Sequence, residues 1–171
     1  MKSEKFNFKF FVLLISCFLI ISGCGSSSSD SGGTLSTPVV LSNLELQERS
    51  QILSLTNAER RKNNVPELIP DGTLDNVAQL HAKDMTSRNY FDHINKDGED
   101  PFDRMNKQGA QYTIAGENIA LQLSPGDSVT GWMNSPPHRD GLLNPQYKKI
   151  GIGVSKTGNS SWANYVQVFS D

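Results

Sequence analysis

Two short stretches decide the fold: Ile-Gly-Ile-Gly-Val at residues 150–154 and Tyr-Val-Gln-Val-Phe at residues 165–169. The first alternates β-branched side chains with glycine, and the second is rich in aromatic and β-branched residues. Both patterns are typical of β-strands. The Gly-Asn-Ser segment at residues 158–160 is typical of a turn. We therefore predict that the two stretches form a β-hairpin.

The sequence before this hairpin predicts helices. Ser42 and Glu45 have the spacing of a capping box, at the start of a helix that should end near Asn63. Two further helices should begin at Asp100-Pro101 and at Ser124-Pro125. A helix capped by Thr73 is the clearest element, because intervals of three and four place on one face Leu74, Val77, Ala78, His81 and Met85. Helices followed by a hairpin indicate an α+β fold.

The first 24 residues have the pattern of an export signal. Three lysines precede an apolar run over residues 10–21 that is too short to span a bilayer. The following Leu-Ile-Ile-Ser-Gly-Cys at residues 19–24 resembles the lipobox of bacterial lipoproteins, which implies cleavage before Cys24 and acylation of that cysteine. A plain secretory signal with an incidental cysteine is the alternative.

This pattern predicts three segments. Residues 1–23 are the signal peptide, residues 24–41 the acylated cysteine with a Ser/Gly-rich tether, and residues 42–171 one globular domain. We expect an exported protein held to the bacterial membrane by its lipid, and to the outer membrane if the cell has two.

Charge limits the kinds of partner we expect for the exported protein, and cysteine content limits its disulfides. Loss of the signal peptide leaves 13 basic and 17 acidic residues, because it removes three of the 16 basic and one of the 18 acidic residues. This mild acidity gives no reason to expect nucleic acid as a partner. Cys17 leaves with the signal, so the exported domain contains no disulfide. We expect a monomer stabilised by its core, with Trp132 and Phe169 as anchors.

Eight short motifs follow one another along the chain. They are Asn-Ala-Glu-Arg at 57–60, Ala-Gln-Leu-His-Ala-Lys-Asp-Met at 78–85, Tyr-Phe-Asp-His at 90–93, Asp-Gly at 97–98, Gly-Glu-Asn-Ile-Ala at 116–120, Trp-Met-Asn-Ser-Pro-Pro-His-Arg at 132–139, Ile-Gly-Ile-Gly at 150–153 and Val-Gln-Val-Phe at 166–169. In order and spacing they resemble the CAP superfamily, the secreted SCP-like domains related to cysteine-rich secretory and plant pathogenesis-related proteins. The resemblance implies an α-β-α sandwich with a central antiparallel sheet and an open cleft lined by histidines and acidic groups.

The same resemblance assigns residues to the cleft. It implies that His93 and His138 are the two cleft histidines and that Glu117 is the glutamate of the Gly-Glu-Asn segment. Ser135 stands where animal and plant relatives commonly have a second glutamate, and is expected to help bind a ligand. Judged from its neighbours alone, Ser135 precedes a proline and reads as a helix N-cap whose hydroxyl accepts the backbone N–H of His138.

These residue types suggest two kinds of chemistry. His138 in the first turn of a helix should be neutral, as metal binding and general-base catalysis both require. Together, His93, Glu117 and His138 match the ligands of an open Zn²⁺ site with water in the fourth position, or could orient a water for hydrolysis without metal. Glu117 also has a structural explanation, as a turn residue after a β-like run over residues 112–115, whereas His93 has no packing role evident from the sequence. His81, on an apolar helix face, reads as a packed histidine rather than a ligand.

A binding role is favoured over catalysis, since the sequence has no His-Glu-x-x-His motif, no catalytic cysteine and no phosphate-binding loop. The acidic residues between 97 and 103 lack the spacing of a calcium loop and read as a turn and a helix cap. The leading prediction is a cell-envelope binding module whose cleft holds a divalent metal or a small ligand. A hydrolase of peptide or envelope polymer is the second. A lipid or sterol carrier is the third, implied by the resemblance alone.

Overall fold

The structure, a computed structural model, describes residues 41–156 and 158–171. The predicted signal peptide, Cys24 and most of the tether therefore lie outside the described residues. The helices are α1 (Asn43–Lys62), α2 (Gly72–Arg88), α3 (Pro101–Lys107), α4 (Pro125–Asn134) and α5 (Pro136–Leu142), and the strands are β1 (Ile69–Pro70), β2 (Ala115–Gln122), β3 (Lys149–Lys156) and β4 (Ala163–Ser170). Within these ranges, no helix is both long and apolar enough to cross a membrane.

The four strands form one sheet in the order β1-β3-β4-β2. Strands β3 and β4 are antiparallel neighbours, as the predicted hairpin requires, and β2 joins β4 antiparallel. The family resemblance implied an antiparallel sheet. The structure adds one parallel strand, the two-residue β1, which pairs with β3. The predicted hairpin is thus the centre of the sheet.

Helices cover both faces of the sheet and complete an α-β-α sandwich. Helices α1, α4 and α5 pack on one face around a core that includes both predicted anchors, Trp132 and Phe169, which are buried. Helices α2 and α3 pack on the other face against Ile119, Val166 and Val168.

Two glycines of β3 set how closely α2 approaches the sheet. A Cβ on Gly151 would lie 2.0 Å from the carbonyl carbon of Leu74, and one on Gly153 would lie 2.2 Å from the carbonyl oxygen of Ala78. Atoms cannot approach so closely, so the backbone of α2 rests directly on the backbone of β3. The glycines of the Ile-Gly-Ile-Gly pattern are therefore required by the close packing of α2 on β3.

The caps of α1 and α3 agree with the sequence, and the cap of α2 does not. Ser42 and Glu45 form the predicted capping box, and Asp100 forms another with Asp103. The predicted cap Thr73 is wrong, because α2 begins two residues earlier. Its N-cap is Asp71, which accepts the backbone N–H groups of Thr73 and Leu74 at 2.9 and 3.1 Å.

The two outer sides of the sheet differ in how they are covered. Beyond β1, side chains of α2 bond to β3: Asp75 accepts the N–H of Ile152 at 2.8 Å, and Gln79 bonds both the N–H and the carbonyl of Val154 at 3.0 and 2.6 Å. At the opposite side, β2 pairs with no further strand in the described ranges. Strand β2 is therefore an edge strand, and edge strands leave some backbone polar groups without a strand partner.

Candidate functional site

Glu117 lies within the edge strand β2, opposite Val168 of β4. The expectation of a turn residue is therefore wrong, because the strand begins at Ala115 and includes the Gly-Glu-Asn segment. The Glu117 side chain is only 1% exposed. Its Oε1 accepts a hydrogen bond from His93 Nδ1 at 2.8 Å, and its Oε2 accepts one from Arg104 Nη2 at 2.8 Å. Both carboxylate oxygens are thus occupied.

Arg104 of α3 connects this carboxylate to the loop that carries His93. Besides pairing with Glu117, its Nη1 donates to the carbonyl oxygens of His93 at 2.8 Å and Glu99 at 2.9 Å. One guanidinium therefore holds the loop against β2. The sequence motifs did not point to Arg104, and its one local signal is its place next to Met105 in a short helix, where both side chains are buried.

His81 is buried on α2, as predicted for a packed histidine. Its Nε2 donates to the carbonyl oxygen of Asp92 at 3.0 Å and lies 3.9 Å from Glu117 Oε1. Burial lowers the pKa of His81 more than the nearby Glu117 carboxylate raises it. The neutral His81 ring thus holds the backbone carbonyl of Asp92, the residue that precedes His93 in the loop.

His138 lies in the first turn of α5 and bonds to Ser135 in an unexpected way. The Ser135 hydroxyl does not cap the backbone of α5, so that prediction is wrong. Instead, Ser135 Oγ lies 2.8 Å from His138 Nδ1, so the hydroxyl hydrogen-bonds to the imidazole. Burial, and then the nearby charge of His93, lower the pKa of His138. The predicted neutral state is supported, but burial is its main cause.

Asn118 holds α5 from the other face of β2. Its Nδ2 donates to the carbonyl oxygen of His138 at 3.1 Å and to Gln167 Oε1 at 3.3 Å. Gln167 in turn donates to Thr56 Oγ1 at 2.7 Å in the buried core. The backbone that carries His138 is therefore connected through amide side chains to β4 and α1.

The two histidines come to the same edge from opposite helical layers. In each ring Nδ1 is engaged, by Glu117 in His93 and by Ser135 in His138, whereas Nε2 has no hydrogen-bond partner in the described ranges. Beside His138 a depression of about 290 Å³ is lined by Ser135, by His138 and by residues of β2.

The donors available for a metal ion are therefore the two imidazoles. No three His, Cys, Asp or Glu groups are gathered to hold a metal in the described ranges. Glu117 contacts Arg104 and the Nδ1 side of the His93 ring, so it supports this histidine from the side opposite to Nε2. This is the arrangement in which a carboxylate fixes the tautomer and orientation of a metal-binding imidazole.

The structure is an α-β-α sandwich with two histidines at the edge of its sheet. This is the class of protein that the eight sequence motifs indicated. Residues 53–169 match the cysteine-rich secretory protein family. The chain belongs to this family.

Bacterial relatives share the domain. YkwD of Bacillus subtilis (strain 168) is 43% identical over 110 residues, which cover 64% of this chain and 43% of that protein. An extracellular SCP-domain protein of Bacillus anthracis is 37% identical with a TM-score of 0.66, over 74% of this chain and 41% of the other. An outer surface protein of Borrelia burgdorferi is 27% identical with a TM-score of 0.67, over 72% of this chain and 91% of the other. The chain thus spans less than half the length of the two Bacillus proteins.

Proposed function

We propose that this protein is a binding module of the bacterial cell envelope that holds a divalent metal ion or a small ligand between His93 and His138. The observation that carries the proposal is the pair of imidazoles with Nδ1 engaged and Nε2 unpartnered. When Nδ1 donates, Nε2 carries the lone pair that a metal ion or a ligand proton requires. Bound Zn²⁺ would supply a Lewis acid at this edge, with water or a small ligand completing its coordination.

Calorimetric titration of the full chain with Zn²⁺ tests this function. We expect one ion per chain, and affinity at least tenfold lower in His93→Ala and in His138→Ala. Glu117→Gln should weaken binding by about 10–100-fold, because the amide orients His93 less well than the carboxylate. Affinity should also fall as the pH drops, since protons compete for Nε2.

The third histidine provides a matched control. His81→Gln retains an N–H that can reach the Asp92 carbonyl, and should therefore bind Zn²⁺ as the native chain does. Binding that is absent, or that persists without both His93 and His138, rejects the metal site.

A hydrolase using the same residues is the alternative, and the His93–Glu117 contact favours it. A carboxylate that orients a histidine is also the arrangement of a general base. In that case His138→Ala would abolish turnover of a peptide or envelope polymer, whereas a pure binding module would show no turnover in any variant.

A lipid carrier would need an apolar groove away from the histidines. A groove of about 280 Å³ between α1 and β3 includes Leu46, Leu53 and Ile152, but an Arg49–Asp75 ion pair lies in its wall. Sites for drug-sized ligands are commonly about 300–1,000 Å³ and mostly apolar. This groove supports a carrier less well than the histidines support a binding module.

Export and lipid anchoring complete the proposal. The signal pattern and Cys24 indicate a chain that leaves the cytoplasm and keeps a lipid at its new N-terminus. The matched proteins of B. anthracis and B. burgdorferi are described as extracellular and as an outer surface protein, respectively, which supports export.

A further inference from the structure

A second depression lies next to the one lined by Ser135 and His138. It measures about 310 Å³ and lies where the ends of α2, β2 and β4 meet. Phe91 and Leu121 line both depressions, which therefore adjoin each other. Three large apolar side chains rise from the second one: Phe91, Leu121 and Trp162, which are 46%, 42% and 50% exposed. We call this second depression the aromatic groove.

The aromatic groove has no formal charge. Among the described residues that line either depression there is no Asp, Glu, Lys or Arg. The titratable groups are His138 in the first depression and Tyr90 in the aromatic groove, and the Tyr90 hydroxyl donates to Asp84. Burial and that carboxylate raise the pKa of Tyr90, so the phenol is neutral. A charged ligand would find no countercharge in the groove.

A polar atom in the wall of the groove has no partner. Asn164 of β4 is more than nine-tenths buried, and its Nδ2 donates to Thr86 Oγ1 at 2.9 Å. Its Oδ1 accepts no hydrogen bond within the described ranges. Buried amide oxygens are normally paired, so Asn164 keeps an unused acceptor inside the wall of the groove.

We propose that the aromatic groove binds a neutral, linear oligosaccharide. A flat pyranose ring has an apolar C–H face that can stack on Trp162 or Phe91, whose ring faces carry partial negative charge. Its hydroxyl groups can exchange hydrogen bonds with the exposed Asn89 and, after a small shift of the Asn164 side chain, can donate to Asn164 Oδ1. Exposed aromatic rings, uncharged polar groups and an unpaired acceptor together fit this class of ligand. The inference goes beyond the proposed metal or small-ligand site and does not require it.

Tryptophan fluorescence of the full chain can test the proposal, because Trp162 is half exposed and the other tryptophan, Trp132, is buried. Cellotetraose and the β-1,4 tetramer of N-acetylglucosamine are suitable neutral probes. We expect a saturable change in emission with at least one of them. Calorimetry should show affinity at least tenfold lower for Trp162→Ala and for Phe91→Ala.

Phe102→Ala is the matched control, since Phe102 is 44% exposed on α3 and packs on Tyr112 outside the groove. This variant should bind as the native chain does. Titration in the presence of EDTA should also leave sugar affinity unchanged, which separates this proposal from the metal site.

Absence of binding to both sugars overturns the proposal, as does native affinity in Trp162→Ala. Binding of a capped, neutral tetrapeptide in place of the sugars would also overturn it, and would assign the groove to peptides. Circular dichroism of each variant confirms that the fold is retained before its affinity is compared.

Discussion

Glu117 and Asn118 are consecutive residues of β2 whose side chains hold the two cleft histidines from opposite faces of the sheet. Glu117 accepts from the His93 ring at 2.8 Å, and Asn118 donates to the His138 carbonyl at 3.1 Å. Neighbouring residues of a strand point to opposite faces, so a dipeptide can reach both helical layers. The Gly-Glu-Asn motif therefore positions both sides of the cleft.

Arg104→Met should destabilise the domain strongly. The substitution leaves the buried Glu117 without its cationic partner and removes two bonds to the loop carbonyls. We expect a loss of about 3–5 kcal/mol in the free energy of unfolding, measured by urea denaturation.

Arg61→Met is the control for Arg104, because Arg61 pairs with Glu67 where both side chains are half exposed or more. Its effect should be about 0–1 kcal/mol. Equal losses in the two variants would show that Arg104 does not support the site.

The stability of the native chain should fall as the pH drops below the ordinary histidine range. The pKa of His81 is lowered in the folded state by burial, with Glu117 opposing and Arg104 assisting this shift. Below about pH 6.5 the unfolded chain therefore binds more protons than the folded chain, and the free energy of unfolding decreases.

His81→Gln should reduce this pH dependence while retaining an N–H for the Asp92 carbonyl. Urea denaturation at about pH 7.5 and about pH 5 compares the two proteins. Identical slopes with pH would assign the dependence to other groups, of which His138 is one because its pKa is lowered too.

Gly151→Ala and Gly153→Ala should each push α2 away from the sheet. The added methyl groups would overlap the backbone at Leu74 and Ala78. Overpacking of this kind costs at least about 1–3 kcal/mol, which thermal or urea denaturation can detect. Gly72→Ala, at the start of the same helix, meets no atom within 4 Å. It should be neutral or stabilising by up to about 1 kcal/mol.

Cys24→Ser should prevent lipid anchoring. The variant should leave the membrane fraction or accumulate as an uncleaved precursor, and radiolabelled fatty acid should enter the native chain alone. Equal membrane retention and processing of the two forms would reject the lipobox interpretation. This test concerns a residue outside the described ranges.

The elements that sequence predicted best are those with strong periodicity or explicit caps. Leu74, Val77, Ala78 and Met85 lie in the core as their spacing indicated, and the Ser42 capping box is present. The Asp71 cap was missed because Asp71 and Thr73 are both good N-cap residues, and backbone geometry decides between them. Strand β1 was missed because two residues show no alternation.

The cleft was harder to predict than the fold. The motifs identified His93, Glu117 and His138, but side-chain contacts depend on the approach of distant elements. Ser135 could equally cap a backbone N–H or face an imidazole, and the structure places it against the imidazole. Arg104 has no local signal that points to Glu117, because α3 must first pack beside β2.

The position of the hairpin has a consequence for when the chain can fold. Strands β3 and β4 form the middle of the sheet although they follow every helix in the sequence, and Asp75 of α2 bonds to a residue 77 positions later. Contacts so distant along the chain make folding slow and cooperative. A nascent polypeptide that still lacks the hairpin has no sheet on which α2 can dock. We expect it to stay unfolded until β4 has been synthesised, and an unfolded chain is the form that a narrow translocation channel admits.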